Sequence, residues 1–230
     1  MSIRKLAAQA ALLQFLFLIA LMGTFSYLMN VSGLSMEDMD SPTKAAQMMV
    51  NHKSIYALLY GMDWFFAITV FILAAAYTQK FSRKQPWLGI VIGGFGVMSS
   101  GLFLAAGTIG IYGIHHAVKD FVDQNGLGLM KAMLIIQGNV EMTAVAAVGV
   151  LTFAAALASA RTRSFAMWVN IAGYIGGGAA VASLPLTAIS PTLGFVWMPG
   201  MLGSVLFNLG VAMYFMKKPQ PELDFSAQMA

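Results

Sequence analysis

Six stretches of the chain, residues 6–29, 54–78, 87–113, 132–158, 165–187 and 195–216, each run for more than twenty residues without a lysine, arginine or histidine. A hydrocarbon core about 30 Å thick is crossed by about 20 apolar residues rising 1.5 Å each, so every stretch is long enough to span a bilayer as a helix. The stretches are continuous rather than alternating, which argues against barrel strands, and a helix satisfies its own backbone groups, as lipid demands. The fold class that follows is all-α, a polytopic transmembrane helix bundle of about six spans. Residues 1–218 form its single domain. The remainder, 219–230, carries Pro219, Pro221, Glu222 and Asp224 and is polar enough to predict a disordered tail.

Composition agrees. The chain is 59% hydrophobic and 10% charged, where a soluble domain carries about 25% charged residues. Most of the lysines and arginines cluster between the apolar runs, so the net charge of +4 is loop charge and no nucleic-acid surface is implied. Cysteine is absent, which removes disulfides, thiolate metal sites and cysteine nucleophiles. The first run follows Arg4 and Lys5, exceeds a signal-peptide core, and has no small-residue cleavage pattern after it, so it predicts a retained first span.

Orientation follows from the basic residues. With the N-terminus in the cytoplasm, nine lysines and arginines (Arg4, Lys5, Lys80, Arg83, Lys84, Arg161, Arg163, Lys217, Lys218) lie inside, against four outside (Lys44, Lys53, Lys119, Lys131). That asymmetry satisfies the positive-inside rule and predicts both termini in the cytoplasm, with longer outer loops at 30–53 and 114–131. The membrane expected is a bacterial inner membrane.

Two features bear on helix packing. Gly89 and Gly93 on the third run and Gly173 and Gly177 on the fifth each form a GxxxG pair, which predicts that these two helices sit centrally. A shift of 80 residues superposes Ala74, Ala75, Ala76, Arg83, Gly93 and Gly96 on Ala154, Ala155, Ala156, Arg163, Gly173 and Gly176, hinting at a repeated hairpin.

Of nine acidic residues, two, Asp63 and Glu141, fall inside apolar runs. Insertion costs about 2.5–3.5 kcal/mol for such a group at a helix centre, which makes each a candidate functional residue. Asp63 lies 10 residues after Lys53 and Glu141 lies 10 after Lys131, on helices running the same way. Both therefore sit about 15 Å below the outer surface. With no basic residue in the runs to pair with them, they are suited to a proton or a small cation.

Three polar stripes at helical spacing descend toward this depth: His52, Tyr56, Tyr60 and Asp63; Met133, Gln137 and Glu141; and Met201, Ser204 and Asn208. With Asn139, which like Asn170 is a potential partner of Glu141, they predict a cavity lined by Tyr56, Tyr60, Gln137, Asn139, Ser204 and Asn208. His52, His115 and His116 lie near the outer helix ends, where imidazoles are candidate metal or haem ligands. Three MxxM pairs, Met36/Met39, Met130/Met133 and Met198/Met201, offer thioethers of the kind that suits Cu(I). No HExxH, GxSxG, Walker loop or dinucleotide fingerprint is present, so the cofactor is left open and ATP-driven chemistry has no site.

The segments IYALLYGMDWFFAITVFILAAAY (55–77), PWLGIVIGG (86–94) and VWMPGMLGSVLFNLGVAMY (196–214) resemble small bacterial six-helix integral membrane proteins. The resemblance implies an architecture and no activity. Three functional readings stand at this point. The first is a binding or transport protein whose outward cavity ends at Asp63 and Glu141. The second is an intramembrane acid–base enzyme for a lipid-soluble substrate, its two carboxyls dividing the acid and base roles. The third is a non-catalytic accessory subunit that packs through its glycine faces. Their partners are the bilayer itself, a small cation or hydrophobic ligand, and another membrane protein or a second copy of the chain.

Overall fold

A computed structural model describes residues 2–32, 51–120, 126–189 and 197–217. Six helices account for nearly all of them: α1 (Ile3–Ser32), α2 (Lys53–Phe81), α3 (Pro86–Asp120), α4 (Gly126–Thr162), α5 (Met167–Ile189) and α6 (Trp197–Met216). Five are long and apolar enough to cross a membrane, and α6 carries a shorter apolar stretch, Gly200–Met216. The proposed loop at 30–53 lies largely, and the tail at 219–230 wholly, outside the described residues.

The helices outrun the apolar stretches. Residues 114–120 and 126–131, expected as loop, are helical turns of α3 and α4. Hydropathy marks where a helix leaves lipid and says nothing of where its hydrogen bonding stops. At the opposite end the connections are as short as expected: 82–85 joins α2 to α3, and 163–166 joins α4 to α5. Pro86 opens α3 at the first helical position, where its missing N–H costs nothing. The α4 helix closes in a Schellman motif, with Ser164 N–H donating to the Ser159 carbonyl (3.0 Å) and Arg163 N–H to that of Ala160 (3.3 Å).

Each helix packs on its neighbours in sequence, and α1 closes the ring between α6 and α2, while α2 and α4 also touch across it. Burial identifies the central element. The apolar window of α4 is 56% buried, against 33% for α1, α2 and α3. The glycine-rich α3 and α5 are thus not the centre. Gly93 faces Thr78 of α2, and Gly173 faces Ala156 of α4 and Phe207 of α6. Each glycine helix joins its own neighbours in the ring, because a missing side chain permits close approach to whichever helix the topology places beside it.

Small residues set most of these contacts. The buried core is rich in alanine, including Ala7, Ala10 and Ala11 of α1, Ala74 of α2 and Ala155, Ala156 and Ala158 of α4. Lipid tails are as apolar as leucine, so association rests on van der Waals contact and interhelical hydrogen bonds. Two such bonds are buried: Gln14 Nε2 donates to Thr69 Oγ1 (3.2 Å), and Ser100 Oγ donates to the Ala67 carbonyl (2.9 Å). Toward the short turns the gaps between α2, α5 and α6 are filled by rings. Phe165 meets Tyr77, Phe81 and Tyr214 edge to face at centroid distances of 6.3, 6.0 and 4.9 Å.

The ring is fastened at this end by Arg4, whose Nε donates to the Phe215 carbonyl (3.0 Å) and whose guanidinium also reaches the Lys217 carbonyl. These are orphan carbonyls at the C-terminus of α6, and a cation there also complements the helix dipole. Arg4→Gln is expected to lower stability by about 1–2 kcal/mol, read as a lower melting midpoint in detergent. An unchanged midpoint would mean that α1 is held by its alanine face alone.

Candidate functional site

Asp63 is placed by glycines on α3. A Cβ at Gly107 would lie 2.7 Å from the Tyr60 carbonyl oxygen and 3.0 Å from Asp63 Cβ, and one at Gly110 would run into the Tyr60 ring. Three residues on, Gly113 receives the side chain of Met133 from α4. Glycines spaced by three thus form a seam along α3 that takes α2 at two positions and α4 at the third. Sequence reasoning fixed on the GxxxG pairs and missed this seam, although AAGTIGIYG (105–113) spells it out.

On α4, Gln137 is buried at 4% exposure, and its Nε2 donates to Glu141 Oε2 at 2.6 Å. The two residues are one helical turn apart, so the amide orients the carboxylate from its own helix. Tyr60 of the α2 stripe fills the Gly110 notch and Met133 of the α4 stripe fills the Gly113 notch, one turn apart on α3. The Tyr56 and Tyr60 rings lie 6.3 Å apart, centroid to centroid. The first two stripes therefore converge, one from α2 and one from α4, with α3 between them. Between them the stripes carry two carboxyls, an amide and two phenols, oxygen-rich groups that suit a proton or a hard cation better than a soft metal.

The rest of the expected lining lies elsewhere. Asn139 is exposed on the outer face of α4, where its carbonyl accepts the Thr143 hydroxyl at 2.7 Å. Ser204 of α6 packs against Gly176 of α5, and Asn208, also on α6, is buried at 7% exposure. Because α6 packs on α5 and α1, its stripe belongs to that side of the ring.

No histidine centre stands among the described residues. His52 precedes α2, where its carbonyl accepts the Ile55 and Tyr56 N–H groups, while His116 is exposed near the end of α3. The side chain of His115 lies outside the described residues, among which no group of three or more histidines and carboxylates stands close enough to hold a metal. Of the methionine pairs, Met36/Met39 also lies outside the described residues, and Met133 is packed into the Gly113 notch.

No protein-family model matches the chain, and neither a curated protein nor a solved structure does.

Proposed function

We propose that this multi-pass membrane protein binds a proton or small cation at Asp63 and Glu141 and couples that binding to transport across the bilayer. The observations that support this reading are two carboxyls within apolar helices, Asp63 of α2 seated at the α3 glycine seam and Glu141 of α4 held by a buried amide. Retaining two acidic groups in apolar spans costs enough that a bundle with only a packing role has no use for them. Phenols on the α2 stripe, running from His52 toward Asp63, provide polar steps from one end of the bundle to the pair. In proteoliposomes the purified protein is expected to carry protons or monovalent cations down an imposed gradient, read by an internal pH dye and by isotope uptake. Flux equal to that of protein-free vesicles would refute the reading.

The same reading sets the stripe on the outer side. All six helices span, and Lys84, Arg163 and the C-terminal segment face the cytoplasm by the nine-to-four distribution of basic residues. Reporter fusions near residues 84, 163 and 220 are expected to be cytoplasmic and those near 40 and 122 to be external. Opposite labelling at two of these positions would invert the assignment.

A further inference from the structure

The short turn joining α4 to α5 carries a residue that its backbone does not favour. Arg163 has φ 51°, and it is the one non-glycine residue with a positive φ among the described residues. It occupies the C′ position of the Schellman motif, where glycine is the usual solution because a Cβ is strained there. A strained backbone at an arginine makes its side chain a candidate for a role of its own.

That side chain lines an open cleft of about 380 Å³ together with Ala160, Phe165, Asn170, Ile171 and Tyr174. Asn170 supplies an independent observation. It is only 7% exposed, and its Oδ1 is buried without a hydrogen-bond partner among the described residues. Its amide belongs to the packed wall of the cleft and leaves Arg163 as the charged group open to a bound molecule. Along the cleft the surface turns apolar: Met167, Trp168, Ile171 and Ile175 are all exposed on α5. The site thus offers a guanidinium at the polar end, an unmatched amide on its wall, and an apolar track running along the helix toward the middle of the bundle.

We propose that this cleft binds one anionic phospholipid. Its phosphodiester pairs with the Arg163 guanidinium, which suits phosphate oxygens through its fork of N–H donors. An acyl chain lies against Ile171 and Tyr174. Basic pockets between membrane helices at the interface are general sites for such headgroups. Nothing in this assignment depends on the carboxyl pair.

The test uses the purified full chain in a neutral detergent, mixed with equal amounts of phosphatidylglycerol and phosphatidylcholine. Native mass spectrometry is expected to retain one phosphatidylglycerol and to strip phosphatidylcholine, and phosphatidylglycerol alone is expected to raise the melting midpoint. Arg163→Gly gives the turn its favoured residue, so it should fold at least as well as the parent while binding the lipid at least about tenfold more weakly. Arg83→Gln, which removes a like charge from the other short turn, should leave retention unchanged. Equal retention of the two lipids, or unchanged retention by Arg163→Gly, would overturn the proposal. So would loss in Arg83→Gln as complete as in Arg163→Gly, which would mean a diffuse basic surface. Soluble glycerol phosphate is expected to leave the melting midpoint where it was. A shift matching that of phosphatidylglycerol would make a free phosphate ester the ligand and would overturn the lipid assignment.

Discussion

Gly177→Leu is expected to leave no folded, detergent-stable protein, while Gly178→Leu, at the very next position, purifies and melts like the parent. A Cβ at Gly177 would lie 2.6 Å from the Gly149 carbonyl oxygen and 2.7 Å from the Phe153 backbone nitrogen, both on α4. The contact is reciprocal, since a Cβ at Gly149 would lie 2.8 Å from the Gly177 carbonyl oxygen. Backbone cannot move aside as the tip of a side chain can, so the helices themselves must part. Overpacking a tight core costs about 1–3 kcal/mol when side chains can adjust, and here they cannot. The α4 helix is the most buried of the five long apolar helices, so the separation would spread to its other neighbours. At Gly178 a Cβ would meet nothing within 4 Å, and a leucine there projects into open space. Size-exclusion profile and melting midpoint after extraction decide the matter. Equal behaviour of the two variants would mean that α4 and α5 are not in backbone contact.

The second large effect concerns the carboxyls. Asp63→Asn and Glu141→Gln keep the shape of each side chain while removing the group that binds a proton or cation. Flux in proteoliposomes is expected to fall to that of protein-free vesicles in the double variant. Folding should be unharmed and the melting midpoint equal or higher, because each change removes a group whose membrane insertion costs about 2.5–3.5 kcal/mol. Gln137→Leu should show an intermediate loss, since it deprives Glu141 of its 2.6 Å donor but leaves both carboxyls in place. Full flux in the double variant would remove the pair as the functional site. A folded double variant without flux separates a transport role from a packing role, which collapse of the bundle could not.

How far the site could be read before the fold was known differs from residue to residue. The depth of Asp63 and Glu141 follows from counting 10 residues from Lys53 and from Lys131. Depth is a property of one helix and the bilayer. Whether the two carboxyls approach depends on the rotation of each helix about its axis, which the α3 glycine seam at 107, 110 and 113 sets by admitting α2 and α4. Asn139 was separable from sequence spacing alone. It stands two positions from both Gln137 and Glu141, about 200° around a helix of 3.6 residues per turn, and so faces away from them. Ser204 and Asn208 were not separable in this way. Their spacing is as good as that of the other stripes, and only the packing of α6 between α5 and α1 takes them to another side of the ring.

The sequence by itself determined the class of fold, because lipid accepts few solutions for a long uncharged run and a helix is the one that needs no partner. It determined the short turns at one end as well, through Pro86 at a helix start and a basic, polar break at each hairpin. The helix ends at 114–131 escaped it, since hydropathy reports the lipid boundary and hydrogen bonding continues beyond it. Only the tertiary structure decided that α4 is central, that the α3 glycine seam receives Tyr60 of α2 and Met133 of α4, and that Arg163 shares a cleft with an unmatched Asn170. The physical reason is common to all three. In lipid a helix that is apolar all round has no preferred inward face, so small residues and polar contacts on neighbouring helices fix which side turns in.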